Sequence, residues 1–185
     1  LGIAFILRSL FSDPKKKKLA FIFWMANPVV IYGTFIMCQT SDIPQVFLVV
    51  LALFLAFKKK NSLSLGALGL AASYKIFPLF LIPIASFALA KSSIGRLKLL
   101  FAGFGTFLLV VLPFLFSPAF REIVFGSAAS QKIFFMKLPL TGAESIYIFI
   151  FIYILIVLFT MSGKFTKDSL WVPFFLVFLT FFSVS

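Results

Sequence analysis

Residues 65–90 read LGALGLAASYKIFPLFLIPIASFALA, an apolar block of 26 residues with Lys75, Pro78 and Pro83 in its interior. As one straight helix this block would be about 39 Å long, which exceeds a hydrocarbon core of about 30 Å. Proline also removes a helical hydrogen bond and kinks or breaks a helix. The block is therefore interpreted either as one broken crossing or as two short helices that form a hairpin near Lys75.

Six other apolar blocks flank this one, and several approach the roughly 20 residues that one helical crossing needs. The chain is 62% hydrophobic and 12% charged, which is not the composition of a soluble globular domain. These observations predict an all-α, polytopic transmembrane helical bundle that forms a single domain over residues 1–185. The flanking blocks are residues 1–11, 19–37, 43–57, 97–116, 145–161 and 170–184.

The net charge of +12 comes mainly from basic residues in short segments between the apolar blocks. Because basic loops stay on the cytoplasmic side, Lys15–Lys18 and Lys58–Lys60 are predicted to be cytoplasmic, and the basic-free segment Cys38–Asp42 to lie outside. A hairpin at residues 65–90 also puts the basic segment 91–98 inside, so orientation favours the hairpin. The basicity therefore indicates topology, and we expect no nucleic-acid partner.

Lys75 is the most informative single residue. A lysine inside an apolar block costs about 2.5–3.5 kcal/mol on insertion and usually faces a partner or a water-filled cavity. It is therefore a candidate substrate-binding residue whose ammonium group suits a phosphate. The alternative is that its side chain extends to the lipid headgroups.

Asp42 ends a polar segment, Gln39-Thr40-Ser41-Asp42, in the predicted outer loop. A carboxylate beside an amide and two hydroxyls can hydrogen-bond sugar hydroxyls, bind a metal ion or act as a base. Gln39 and Asp42 are therefore candidate substrate-binding residues, and Asp42 is also the candidate for catalysis within the chain. The alternative for Asp42 is an N-cap on a helix that starts at the next residue.

Residues 117–144 form a second predicted outer loop that suits an interfacial amphipathic segment. Its basic residues Arg121, Lys132 and Lys137 can bind a lipid-linked phosphate or stay solvated, and Arg121 is the substrate-binding candidate among them. Glu144 at the end of the loop is a candidate cap for the next helix. We expect the two outer loops and the hairpin apex to converge on one extracytosolic cavity.

Two further patterns concern packing. Asn27-Pro28 inside the second block predicts a kink, at which the Asn27 side chain satisfies a freed backbone group. Small residues in the first half of residues 65–90 would let that limb pack closely against a neighbouring helix, as small-residue seams do in lipid. These small residues are Gly66, Ala67, Gly69, Ala71, Ala72 and Ser73.

These segments resemble the GT-C superfamily of integral membrane glycosyltransferases, in particular the bacterial polyprenyl-phosphate-mannose-dependent type. The resemblance rests on residues 27–32 (NPVVIY), 39–44 (QTSDIP) and 65–78 (LGALGLAASYKIFP), and it covers about residues 24–90. In that family a similar Asn-Pro helix leads to a Gly-Gln-Phe-Asp loop, and a later block reads Leu-Gly-Leu-Ala before Lys-x-x-Pro. Here Cys38 and a Thr-Ser pair replace the Gly and the Phe of the loop.

The resemblance implies a mannosyltransferase-like enzyme of the bacterial plasma membrane. It would transfer a hexose from a polyprenyl-phosphate donor, with inversion, to a glycan or lipid acceptor on the extracytosolic face. An outer acidic residue would deprotonate the acceptor hydroxyl, and Lys75 and Arg121 would stabilise charge on the departing phosphate. A divalent metal is compatible with this chemistry, and Phe-rich faces would contact membrane lipids and the prenyl chain.

In this superfamily the catalytic acid usually lies in the first outer loop. The resemblance therefore also implies that the chain is an internal fragment that begins beyond that loop, so that the main catalytic acid is unknown.

Two other classes of protein stay open. A transporter or lipid flippase would use broken helices and an intramembrane lysine as a midplane substrate site. A non-catalytic membrane scaffold would pair Lys75 with a residue elsewhere. The chain has no His and one Cys, so no ligand set for zinc or haem is predicted.

Overall fold

The computed structural model describes residues 2–33, 42–126, 134–141, 144–162 and 169–184. Of these residues 82% are helical, which confirms a mostly helical fold. A 3-10 turn, Phe77–Phe80, separates the fifth and sixth helices. The helices are α1 (Gly2–Ser9), α2 (Pro14–Met25), α3 (Pro28–Ile31), α4 (Asp42–Phe57), α5 (Asn61–Tyr74), α6 (Leu81–Leu89), α7 (Ser93–Leu115), α8 (Pro118–Gly126), α9 (Ile148–Met161) and α10 (Trp171–Val184).

A small two-stranded sheet departs from the all-α expectation. β1 (Lys137–Pro139) pairs antiparallel with β2 (Ser145–Tyr147), and all of these residues are exposed. Strands of three residues are too short for an alternating pattern to be recognised in sequence. The expected helix cap at Glu144 is wrong, because α9 begins only at Ile148 and the Glu144 carbonyl accepts the N–H of Leu140 at 2.9 Å.

The lysine run at 15–18 belongs to α2 and not to a loop. Asp13 caps this helix, since its Oδ1 accepts the backbone N–H two residues on at 2.8 Å, and Pro14 occupies the first helical position. This combination starts a helix even where four cations follow. The kink predicted in the second block is present, and Asn27 Oδ1 accepts the N–H of Val30 at 3.4 Å.

Helix α5 lies at the centre of the fold and has its most extensive contacts with α7 and α4. The predicted small-residue seam is confirmed, because Gly69 lies directly against the backbone of Gly103 in α7. On the α4 side, the buried Ser64 hydroxyl donates to the carbonyl of Ala52 at 2.7 Å. Close backbone approach on one face and an interhelical hydrogen bond on the other fix the position of α5.

The block 65–90 folds back on itself, as in the hairpin interpretation. Pro78 has no N–H to bond to the carbonyl of Tyr74, so α5 ends there, and Lys75 takes an extended conformation with φ −146° and ψ 144°. The Asn61 side chain at the start of α5 donates to the carbonyl of Leu89 at 3.4 Å. The end of α6 therefore returns to the start of α5, and the basic segment 91–98 follows beside the lysine turn 58–60.

Helix α7 is long. With 23 residues it is, among the described residues, the one helix long and apolar enough to cross a membrane. Shorter apolar helices of 10–17 residues are α4, α9, α10 and the segment Phe77–Leu89.

Candidate functional site

Lys75 and Asp42, two of the candidate residues from the sequence, contact each other. The Nζ of Lys75 forms an ion pair with Oδ1 of Asp42. Helices α4 and α5 run antiparallel, because Ser64 bonds to Ala52 halfway along them and the ion pair joins the start of α4 to the end of α5. The pair therefore lies at the end of this helical hairpin opposite to the lysine turn 58–60.

Each member of the pair also complements its own helix. Asp42 lies in the first turn of α4, and Lys75 is the first residue after α5. A negative charge is favoured at a helix N-terminus and a positive charge at a C-terminus, typically by about 0.3–1 kcal/mol. The local structure thus stabilises both charges where the two helix ends meet.

The pair is open to a ligand, since the side chains of Lys75 and Asp42 are 50% and 35% exposed. In water an ion pair this exposed contributes about 0–1 kcal/mol, because solvent screens it and two side chains must be ordered. A phosphate group can therefore displace the carboxylate from the ammonium at small cost. The arrangement offers a cation for an anionic group and, next to it, a carboxylate that can accept a proton.

The structure bears on the alternatives for both residues. Asp42 is the first residue of α4, and its carboxylate contacts Lys75. Lys75 contacts a carboxylate, which is how lysines in apolar surroundings are usually accommodated.

The described residues do not form a divalent cation site. Asp42 has an ammonium group as its neighbour, and within the described ranges there is no group of three or more His, Cys, Asp or Glu side chains. A hard divalent cation needs several oxygen ligands with negative charge. Asp42 by itself therefore does not supply the ligand set of such a cation.

The other candidates are not joined to this pair. Arg121 is exposed on α8, beside the end of α7, where the Phe114 and Phe120 rings contact each other with centroids 5.8 Å apart. In the part of the chain that the structure describes, Arg121 makes no ion pair. Lys137 is exposed in β1. Gln39 and Lys132 lie outside the described residues.

The direct pairing of Lys75 with Asp42 was missed by the sequence analysis, which treated the two residues separately. A usable signal was present in the lengths of the elements. Two helices of 16 and 14 residues, joined by a three-residue turn, place the first residue of one opposite the residue that follows the other. Recognising this would have required the helix boundaries, which sequence patterns fix only to within a few residues.

The fold and site together define a mostly helical protein with a carboxylate–ammonium pair at one end of its central hairpin and lysines at the other. Comparison with known proteins gives no relative: no family model, curated protein or solved structure matches the chain. Functional inference therefore rests on the geometry of this pair and on the surfaces around it.

Proposed function

We propose that this protein spans the membrane several times and transfers a hexose from a polyprenyl-phosphate donor to a glycan or lipid acceptor on the extracytosolic face. The observation that carries the proposal is the accessible Lys75–Asp42 pair at the end of the α4–α5 hairpin opposite to the lysine turn.

The surface of α7 supports a membrane location. Only 17% of its apolar segment is buried, whereas the core helix of a soluble protein is mostly buried. Phe101 and Leu109 are 70% and 76% exposed, and large apolar side chains in such a contiguous surface favour contact with lipid. The apolar helices α9 and α10 also expose large side chains, including Phe151, Leu158, Phe175 and Phe182.

The basic residues support an orientation. The turn 58–60 and the segment 91–98 lie at the same end of the α5–α6 hairpin, as the Asn61–Leu89 hydrogen bond indicates. By the positive-inside rule this end is cytoplasmic. The Lys75–Asp42 pair then faces the extracytosolic side.

Helix lengths support a recessed site. α5 has 14 residues and α7 has 23, which corresponds to lengths of about 21 Å and about 34 Å, so the pair would lie below the outer end of α7. Because the side chains of the pair are partly exposed, water and a substrate could enter this recess. A lysine there would be stabilised first by Asp42 and then by an anionic substrate.

The proposed chemistry uses each group once. The donor phosphate binds the Lys75 ammonium, which releases the Asp42 carboxylate to accept the proton of the acceptor hydroxyl. The acceptor oxygen bonds to the anomeric carbon as the bond between that carbon and the phosphate oxygen breaks. The electron pair of the broken bond leaves on the phosphate, which Lys75 stabilises. Gln39 remains a proposed contact to sugar hydroxyls, and Arg121, which lies beyond the end of α7, remains a proposed contact to the substrate.

Removal of either charge of the pair tests the proposal. Membrane vesicles that contain the protein would be assayed for transfer of labelled mannose from a mannosyl polyprenyl phosphate. We expect Asp42→Asn and Lys75→Ala each to lower transfer by about 100-fold or more, as for lost acid–base or charge-stabilising groups. The control Lys98→Ala removes an exposed lysine from the cytoplasmic end of α7 and is expected to leave transfer unchanged.

The double variant Asp42→Lys with Lys75→Asp keeps an ion pair but reverses the roles. Because both charges then oppose their helix dipoles, we expect this variant to be less stable than the parent by about 1–2 kcal/mol, to keep the parent's helical content, and to remain inactive. Restored transfer would mean that the pair is structural and would refute its role in the reaction. If the parent protein showed no transfer from any polyprenyl-phosphate donor but moved a solute or lipid across vesicles, a transporter would replace the transferase.

A further inference from the structure

A cationic cleft lies between α1 and α2, away from the Lys75–Asp42 pair. It is open, has a volume of about 450 Å³, and is lined by Arg8, Pro14, Lys17, Lys18 and Phe21. Arg8 is in the last turn of α1 and the lysines are in α2. The rings of Phe5 in α1 and Phe21 in α2 make an edge contact, with centroids 5.8 Å apart, and this contact joins the two helices.

The positive charge of the cleft has no acidic counterpart in its lining. Within the described residues Lys75 and Asp42 form an ion pair, whereas Arg8, Lys17 and Lys18 form no ion pair. The nearest carboxylate along the chain, Asp13, is engaged as the N-cap of α2. Three neighbouring cations repel one another, and an anion bound among them would reduce that repulsion.

We propose that this cleft binds the phosphate of an anionic phospholipid headgroup from the cytoplasmic leaflet. A guanidinium and two ammonium groups provide donors suited to phosphate oxygens. The same two helices expose Phe5, Leu19 and Phe23, so an acyl chain attached to the phosphate would have an apolar surface to lie on. This pairing of a basic cleft with adjoining apolar side chains favours a lipid over a free phosphate ion.

The inference uses the membrane location of the proposed function but does not depend on sugar transfer. It also gives a binding role to Arg8, Lys17 and Lys18, whose charges would otherwise only orient the chain in the membrane.

Lipid binding to the purified protein in detergent tests the proposal. Native mass spectrometry would compare phosphatidylglycerol with phosphatidylcholine on the parent, on the cleft variant R8Q/K17Q/K18Q and on the matched control K58Q/K59Q/K60Q. The control removes the same number of charges from the same proposed side of the membrane. We expect the parent and the control to prefer phosphatidylglycerol. The cleft variant should bind this lipid about 100-fold more weakly, because each of the three lost charges lowers the affinity by about fivefold.

The outcomes separate the cleft from general surface charge. An equal loss in the control, or no preference for phosphatidylglycerol in the parent, would refute the site. Inorganic phosphate that binds the cleft while the lipid does not would also refute it, in favour of a soluble anion. Circular dichroism would verify that the cleft variant keeps its helical content. Because the readout is lipid binding, an absence of sugar transfer would not affect the result.

Discussion

Gly69 and Gly103 set the distance between α5 and α7, the two helices with the most extensive contacts in the fold. A Cβ atom built on Gly69 would lie 2.2 Å from the carbonyl oxygen of Gly103 and 3.1 Å from the backbone nitrogen of Phe107. Both neighbours are backbone atoms, which cannot move aside without moving α7 itself. Glycine is therefore required at position 69 by the close approach of the helices.

Gly69→Ala should destabilise the protein by about 1–3 kcal/mol, because one added methyl group forces the two helices apart. The matched control is Gly105→Ala, also in α7, where an added Cβ meets no atom within 4 Å. In a helix this control should be neutral or stabilising by up to about 1 kcal/mol. Thermal unfolding in detergent micelles, followed by circular dichroism, measures both. Equal stability of the two variants would contradict the close packing at Gly69.

At the scale of elements, the turn between α4 and α5 has an uncommon backbone. Lys59 has φ 60°, a left-handed conformation that costs a non-glycine residue roughly 1–2 kcal/mol. The N–H of Lys60 bonds to the carbonyl of Leu55 and that of Lys59 to the carbonyl of Ala56, both at 2.9 Å. This is the Schellman pattern of a helix end, in which glycine usually occupies the left-handed position.

Lys59→Gly is therefore expected to stabilise the protein by about 1 kcal/mol, because glycine adopts this conformation without steric cost. The control Lys60→Gly changes the N-cap of α5, which has φ −92°, and should give a smaller gain than Lys59→Gly. Both variants remove one positive charge from the same turn, so a difference between them does not come from the charge. Denaturant unfolding in mixed micelles would measure it, and an equal effect of the two changes would rule out the conformational explanation.

Elements governed by local chemistry were predictable from the sequence. The kink at Asn27-Pro28 and the break before Pro78 follow from the missing proline N–H, and the structure contains both. The β1–β2 pair was not predictable, since its strands are short and join residues separated by a loop. The Lys75–Asp42 contact depends on the register of two helices, which single-residue reasoning does not give. The boundary of α2 was also misplaced, because four lysines hid a strong N-cap at Asp13.

At the scale of the whole molecule, the fold-back of α5 and α6 would determine, under the proposed topology, on which side of the membrane the loops lie. A hairpin keeps position 60, before α5, and position 91, after α6, on one side. A single crossing would put them on opposite sides. If α7 crosses the membrane as proposed, position 141, in the turn between β1 and β2, should lie outside.

Single cysteines at these positions test this topology. In a Cys38→Ser background, a membrane-impermeant maleimide added to intact cells should label Thr141→Cys. It should label Lys60→Cys and Lys91→Cys only after the membrane is permeabilised. Labelling of Lys91→Cys but not of Lys60→Cys on intact cells would contradict the hairpin and favour the single crossing.

The Lys75–Asp42 pair has a consequence for biogenesis. Chains are made from the N-terminus, so under the proposed topology α4 and its carboxylate would enter the bilayer before α5 and Lys75. Under the proposed topology Lys75 is a charge that has to move towards the far leaflet, at a cost of about 2.5–3.5 kcal/mol when isolated. The Asp42 carboxylate would then already be present at the position where the Lys75 ammonium ends. The order of the two residues in the sequence thus means that α4 would provide the counter-charge of Lys75 while the α5–α6 hairpin inserts.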